Sequence, residues 1–216
     1  MRRRSEDSQR EDAAQTRARL VDAGVKVFAR HTYESASVRD IAAQAGVTVA
    51  MVGYHFKGKE GLYLAAAEHI AERALKLIGP AQVKAREVLA SGAADRPALI
   101  EATGDVLRAL LEARSEDGSL DWARILLREQ MHPSRAVDIL HERLTEPYMT
   151  VLAALLAALD GRAPERRDMI RAFSLMGQAI IFRNARHASI KLLGGEERSQ
   201  ADYDEMMRLM ERQLRD

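Results

Sequence analysis

The sequence predicts an all-α protein: an N-terminal three-helix helix-turn-helix domain followed by a larger C-terminal helical domain. Three observations carry that expectation. Apolar residues recur at three- and four-residue spacing along most of the chain. Strand-like alternation is nearly absent, and the five prolines fall at apparent helix boundaries or between elements. At 216 residues and 47% hydrophobic content, there is room for one compact module and a second, larger core. The expected divisions are a disordered polar arm over residues 1–12, the helix-turn-helix domain over 13–62, and the helical domain over 63–216.

The first helix is read from Thr16 to His31, with Leu20, Val21, Ala23, Gly24, Val27 and Phe28 on its buried side. Ser37 is an N-cap for the second, and Asp40 places negative charge in its first turn, where the helix dipole favours it. Val38, Ile41, Ala42 and Ala45 form its apolar face, and Ala42 is small where two helices must cross. Gly46 stands where the chain leaves that helix, with a backbone expected at positive φ. Val47 is expected buried in the corner, and Thr48 to cap a third helix running to Phe56. Val52 and Phe56 face inward, which leaves Thr48, Val49, Ala50, Gly53 and Tyr54 outward. Ala42, Gly46 and Val52 have the spacing of a helix-turn-helix, so double-stranded DNA is the leading candidate partner.

The helix ending at Phe56 is expected to enter the major groove. Thr48, Val49 and Ala50 are then the base-edge readers, partly through thymine methyl groups. Ser37 and Arg39 face the opposite backbone strand. Lys59, opening the next helix, is a candidate phosphate contact, because a helix N-terminus favours an anion. Lys57 reads either as a further contact or as a solvated loop charge. Gly53 costs helix stability, about 1 kcal/mol against Ala, and its place is explained if backbone and DNA approach closely there.

Beyond Lys59 the helical pattern runs through Ile70 and Leu77 to Gly79-Pro80. A loop over 91–97 precedes a proline-led helix to about Glu112, and a polar turn follows at 115–119. Leu120–Gln130 is the next helix, and Ser134 caps another through Leu144. Pro147 opens a helix to Leu159, Pro164 one to Arg186, and, after a Gly194-Gly195 loop, the last runs from Asp202 to Leu214.

Composition excludes several classes. Net charge is +1, with a small positive excess over residues 1–60, so the chain is no bulk basic DNA coater. It has no cysteine, which removes disulfides and thiolate metal sites and agrees with a cytoplasmic location. The arginine-rich N-terminus has no apolar stretch behind it and is not read as a secretory signal; Arg2, Arg3 and Arg4 are either a minor-groove arm or a solvated tail. The longest apolar stretch, 151–159, is far short of a membrane span. The six histidines have no metal-site spacing, and no catalytic constellation stands out, so neither metal, cofactor nor enzymatic activity is expected.

Residues from about Thr16 to Leu64 resemble the DNA-binding domain of the TetR family of bacterial transcriptional regulators. The resemblance is carried by Ala23, Phe28, Tyr33, the run Ser37 to Ala42, Ala45 to Thr48, Tyr54-His55-Phe56, Lys59-Glu60 and Leu62. It implies phosphate contacts from Tyr54 and His55, although His55 also reads as an inward-packed histidine. Thr32 departs from the family's usual glycine, and left-handed strain of about 1 kcal/mol is expected there. The C-terminal half is similar to the CecR-like branch through Arg128-Glu129-Gln130, Pro133-Ser134, Ala136, Leu140, Glu142, Pro147 and the stretch 170–182. That likeness implies control of drug-export or other transport genes.

The family pairs two helices with those of a second subunit. The residues expected at such a homodimer interface are Leu152, Leu155, Leu156 and Leu159 on one helix, and Ile170, Phe173, Gly177, Ile180, Ile181 and Asn184 on the next. An intramolecular core is the alternative. A small-molecule effector is expected in an apolar cavity lined by Trp122, Met131, Tyr148, Phe173, Met176 and Phe182, with Gln178 and Arg183 as polar anchors; ordinary core packing is again the alternative. The resulting expectation is a dimeric repressor that binds a palindromic operator and is released by its effector. An activator, or a regulator without effector, is the rival reading.

Overall fold

A computed structural model of the chain describes residues 2–92, 94–113, 119–194 and 199–215, with the backbone alone at 2–9, 119 and 186. The described residues form eleven α-helices: α1 (Arg2–Arg30), α2 (Val38–Ala45), α3 (Val49–Phe56), α4 (Lys59–Ala90), α5 (Arg96–Glu112), α6 (Ser119–Met131), α7 (Arg135–Leu140), α8 (Glu146–Leu159), α9 (Arg166–Asn184), α10 (Arg186–Leu193) and α11 (Gln200–Arg212). A π-helical turn, His141–Thr145, joins α7 to α8.

The chain divides into two compact units. One comprises Met1–Glu72 with Leu120–His141, the other Arg73–Ser119 with Glu142–Asp216. These units cut across the expected boundary at residue 62: α4 runs through both, and α6 and α7 join the N-terminal one.

In the first unit, Leu20, Phe28, Ile41, Leu62 and Ile70 are fully buried. Phe28, Tyr33 and Tyr63 form an aromatic cluster, with Phe28 and Tyr63 edge to face at 4.8 Å. Two side chains of α6 lock into this core. Arg128 donates through Nη1 to the carbonyl oxygens of Phe28 and His31, both at 2.6 Å, and through Nη2 to that of Ala29 at 3.3 Å. It thereby satisfies the carbonyls that the end of α1 leaves open. Glu129, 2% exposed, accepts the Tyr63 hydroxyl at 2.6 Å and the Ser134 amide at 2.9 Å. Burial, then the bond to Glu129, pushes the Tyr63 phenol well above its ordinary value.

In the second unit α8 packs against α5 and α9, and α11 against α5. Leu107, Leu152, Leu155, Leu156, Ala172 and Met210 are fully buried there. Asp168, wholly buried, is held bidentately by Arg162 at 2.6 and 2.7 Å and accepts the Glu165 amide at 2.8 Å. The guanidinium holds this carboxyl well below the usual carboxylate range. Arg96 donates to the carbonyls of Leu159 at 2.9 Å and Leu214 at 3.1 Å, tying the ends of α8 and α11 to the start of α5.

Several boundaries differ from expectation. α1 begins at Arg2, so residues 2–12 are helical where a disordered arm was expected; they contain neither Gly nor Pro, and Arg, Gln and Glu are good helix formers. The side chains of Arg2, Arg3 and Arg4 lie outside the described residues. Pro80 is inside α4, which continues to Ala90; the apolar pattern resumes beyond it at the fully buried Ala85 and outweighs one missing backbone hydrogen bond. The turn expected at 115–119 and Gly195 of the loop lie at or within undescribed segments. The helix expected to end at Arg186 stops at Asn184, and a further helix, α10, runs from Arg186 over residues 187–193 that were not expected to be helical.

Candidate nucleic-acid interface

α2 is fixed at both ends. The Ser37 hydroxyl accepts from the amides of Arg39 at 3.2 Å and Asp40 at 3.4 Å. Gly46 takes φ +65°, where a side chain is strained, and its amide bonds back to Ala43. Arg19 of α1 donates to the carbonyls of Ala45 and Gly46, closing that end as Arg128 closes α1. A Cβ on Gly46 would stand 2.7 Å from this guanidinium. The turn is thus determined from two directions.

α3 is short and its burial is one-sided. Val52 and Phe56 enter the core, while Thr48, Val49, Ala50, Gly53 and Tyr54 are exposed, Tyr54 by 77%. Thr48 has the extended backbone of an N-cap, yet its hydroxyl makes no capping bond, contrary to expectation. That oxygen and its proton remain open to another partner at the end of the helix where backbone N–H groups are unpaired. Val47 is half-buried rather than buried. A Cβ on Gly53 would meet nothing within 4 Å, so the space above this position is open.

The remaining candidates divide. Arg39 and Lys57 are exposed, and Lys57 terminates α3 at φ +60°. Lys59 is half-buried: its ammonium donates to the Glu34 carbonyl at 3.0 Å and sits 4.8 Å above the Tyr33 ring. It braces the loop between α1 and α2, which leaves at most part of its donor capacity for a phosphate. His55 turns Nε2 into the protein, where it has no partner among the described residues. Only Nδ1 of that ring remains for an outside contact. Thr32 has no positive φ; its hydroxyl and carbonyl instead accept from Ser35 in a local turn, so the expected strain is absent.

Sequence reasoning missed two features of this site. A Cβ on Gly61 would lie 1.9 Å from the Phe56 carbonyl oxygen, so the passage from α3 to α4 admits no side chain. Arg17 of α1 lies 5.2 Å above the Phe56 ring, at the end of α3.

The effector candidates divide between the two units. Trp122 and Met131 belong to the first unit, Trp122 buried and Met131 69% exposed. The others belong to the second. Tyr148 is buried and donates to the Val106 carbonyl at 3.3 Å, and burial raises its phenol. Phe173 is exposed; Met176 and Gln178 are half-buried, and Gln178 exchanges hydrogen bonds with Gln213. Phe182 stands edge-on to Tyr203, and Arg183, largely buried, donates to the Leu110 carbonyl. A groove of about 390 Å³ is lined by Pro97, Ile100, Glu101, Glu211 and Arg215, none of them among the candidates.

The interface candidates on α8 are corrected. Leu152, Leu155, Leu156 and Leu159 are in the chain's own core, because α8 is apolar all round and is covered by α5 and α9. On α9, Ile170, Phe173, Gly177 and Ile181 are exposed in one stripe, with Ile180 and Asn184 half-buried at its margin. No group of His, Asp and Glu among the described residues has a metal-holding arrangement.

Comparison with known proteins decides what this geometry belongs to. Residues 20–66 match the model of bacterial regulatory proteins of the tetR family, and residues 99–215 match the C-terminal domain of the HTH-type transcriptional dual regulator CecR. The chain belongs to the TetR family. It is a DNA-binding transcriptional regulator with a CecR-like C-terminal domain, and not an enzyme. The HTH-type transcriptional dual regulator CecR of Shigella flexneri is 31% identical over 170 residues, 78% of this chain and 76% of that protein. Among solved structures, AibR in complex with isovaleryl coenzyme A and operator DNA matches with a TM-score of 0.66 at 18% identity, over 90% of this chain and 97% of that one. A transcriptional regulator from Rhodococcus sp. RHA1 matches at 0.65 and 18%, over 92% and 95%. These two likenesses show the fold.

Proposed function

We propose that the protein represses transcription as a homodimer, reading a palindromic operator with α3 and releasing it when a small molecule binds the second unit. One observation carries the reading. The outward edge of α3 (Thr48, Val49, Ala50, Gly53 and Tyr54) is exposed, uncharged and compact, on a helix whose other side is anchored in a core. Such an edge fits base edges in a major groove, with Thr48 and the methyl groups of Val49 and Ala50 as readers and Tyr54 on phosphate. Arg39 and Lys57 extend the phosphate contacts, and Ser37 presents the start of α2 to the other strand.

The exposed stripe of α9 supports the dimer. Ile170, Phe173 and Ile181 are large apolar side chains in solvent, and the space above Gly177 is open to a close neighbour. The surface of α8 adds the small residues Thr150, Ala154 and Ala158 in place of the leucines. A two-fold pair would set two α3 helices about 34–36 Å apart, one turn of DNA. Because α4 is one helix through both units, a ligand that shifts its second half alters the reading spacing, and ligand and DNA then oppose each other reciprocally.

The target genes proposed are transport or drug-efflux genes acted on in the cytoplasm; among the described residues no helix is long and apolar enough to cross a membrane. The word "dual" in the name of the Shigella relative favours a second reading, in which the same dimer also activates. Selection of bound duplexes from a random pool, followed by transcription on the selected site, separates these readings. A palindrome whose occupancy lowers transcription is expected. Light scattering of Ile181→Lys is expected to give a monomer; a wild-type chain that is itself monomeric overturns the dimer.

A further inference from the structure

α1 extends beyond the helices it packs on. Phe28, Gly24, Val21, Arg17, Ala14 and Arg10 follow one another at alternating four- and three-residue spacing, so they share one helix face. At Phe28 and Val21 that face is buried in the core. At Arg17 it reaches the end of α3, where the guanidinium covers Phe56. Beyond, Ala14 and Arg10 are exposed, as Arg17 is itself. Neither arginine has a carboxylate partner among the described side chains. Glu11 and Asp12 lie about 100° and 200° around the helix from Arg10, away from this face; Glu6 and Asp7, four and three residues before Arg10, fall on or beside it, and their side chains lie outside the described residues.

We propose that the exposed inner face of α1, from Arg17 to Arg10, lies along the DNA phosphate backbone just outside the base pairs read by α3. The argument is continuity. This face covers α3 at Phe56, two residues from the exposed Tyr54 and next to the exposed Lys57. A cationic ridge there meets the same strand that Tyr54 and Lys57 meet. From Arg17 to Arg10 is seven residues, about 10 Å of helix at 1.5 Å each. One DNA strand presents a phosphate about every 3.4 Å of axis, so this ridge spans about three of them. It carries no base information. It adds sequence-independent affinity and widens the footprint beyond each half-site.

The inference rests on the reading of α3 above, and its test separates the two. The probe is the duplex enriched from the random pool, once with long flanks and once trimmed to the half-sites. The full-length chain is compared with R10A/R17A and R10K/R17K. Removing one cation from a phosphate lowers the slope of log affinity against log salt by about 0.9, so the alanine pair lowers it by about 1.8 per bound chain on the flanked duplex. Base preference stays the same, the lysine pair keeps the wild-type slope, and trimming the flanks abolishes the difference between wild type and the alanine pair. If the alanine pair keeps the wild-type slope on the flanked duplex, the proposal is overturned while α3 stands. If both pairs lose slope equally, the effect is loss of packing on Phe56, and the proposal is overturned. If the wild type enriches no duplex, the reading of α3 fails and takes this proposal with it.

Discussion

The two units are held together by different means. In the first, single polar side chains close single backbone ends: Arg19 on the carbonyls of Ala45 and Gly46, Arg128 on those of Phe28, Ala29 and His31, Lys59 on that of Glu34. In the second, layers of leucine and alanine from α5, α8 and α9 supply most of the buried surface, and polar ties such as the knot at Asp168, Arg96 on Leu159 and Arg183 on Leu110 are set among them. A surface that must present a few atoms to DNA needs helix ends set to within fractions of an ångström. A helical core tolerates exchange of one apolar side chain for another of similar volume.

The largest expected contrast is between two glycines. Gly61→Ala drives a Cβ into the Phe56 carbonyl and is expected to cost about 3 kcal/mol or more, with loss of DNA binding. Gly104→Ala, in the second unit, meets only the flexible Glu211 side chain, its Oε1 at 3.1 Å and its Cδ and Cγ at 3.7 Å. It is expected to be neutral or to stabilise by up to about 1 kcal/mol. Urea unfolding of both variants measures this; equal losses would erase the contrast.

Next comes Arg128→Ala. It leaves three carbonyls at the end of α1 without their charged donor, and a loss of about 2–3 kcal/mol in urea unfolding is expected. A loss below about 0.5 kcal/mol would show that water replaces the guanidinium freely.

The Asp168 knot makes a pH prediction. Its carboxyl is depressed in the folded chain, so its contribution is complete above the ordinary carboxylate value, about 3.9, and is lost as pH falls through the lower folded value. The wild type is therefore expected to lose stability faster than Asp168→Asn below about pH 4. Parallel acid melting curves would contradict this.

A small effect on stability is the most telling in function. Gly53→Ala is expected to stabilise the free protein by about 1 kcal/mol, since the added methyl meets nothing. It is also expected to weaken specific DNA binding. Unchanged affinity would show that the backbone of α3 does not approach the DNA closely at this position.

The contrast also explains what was legible. Ser37, Gly46, Asp40 and the inward pair Val52 and Phe56 act within a few residues of themselves, so local spacing reveals them. Arg128 acts on carbonyls about a hundred positions away, and nothing local marks it as part of the N-terminal unit. The same holds for Arg17 over Phe56 and for the unit boundary itself. Periodicity marked α8 as buried on all sides, but could not say whether a second chain or the same one covers it; the leucines are covered from within. Pro80 misled because a helix with a good apolar pattern on both sides outlasts one missing hydrogen bond. Thr48 misled because its position fixes the extended backbone of an N-cap but not the rotamer of its hydroxyl, which makes no capping bond.

The central claim is that the exposed edge of α3 reads DNA. Enrichment from a random duplex pool, run in parallel with the wild type and Thr48→Ala, tests it most directly. The account predicts a palindromic motif for the wild type and an altered preference at one symmetric pair of positions for the variant. An identical motif from both proteins, or no motif from the wild type, would contradict it.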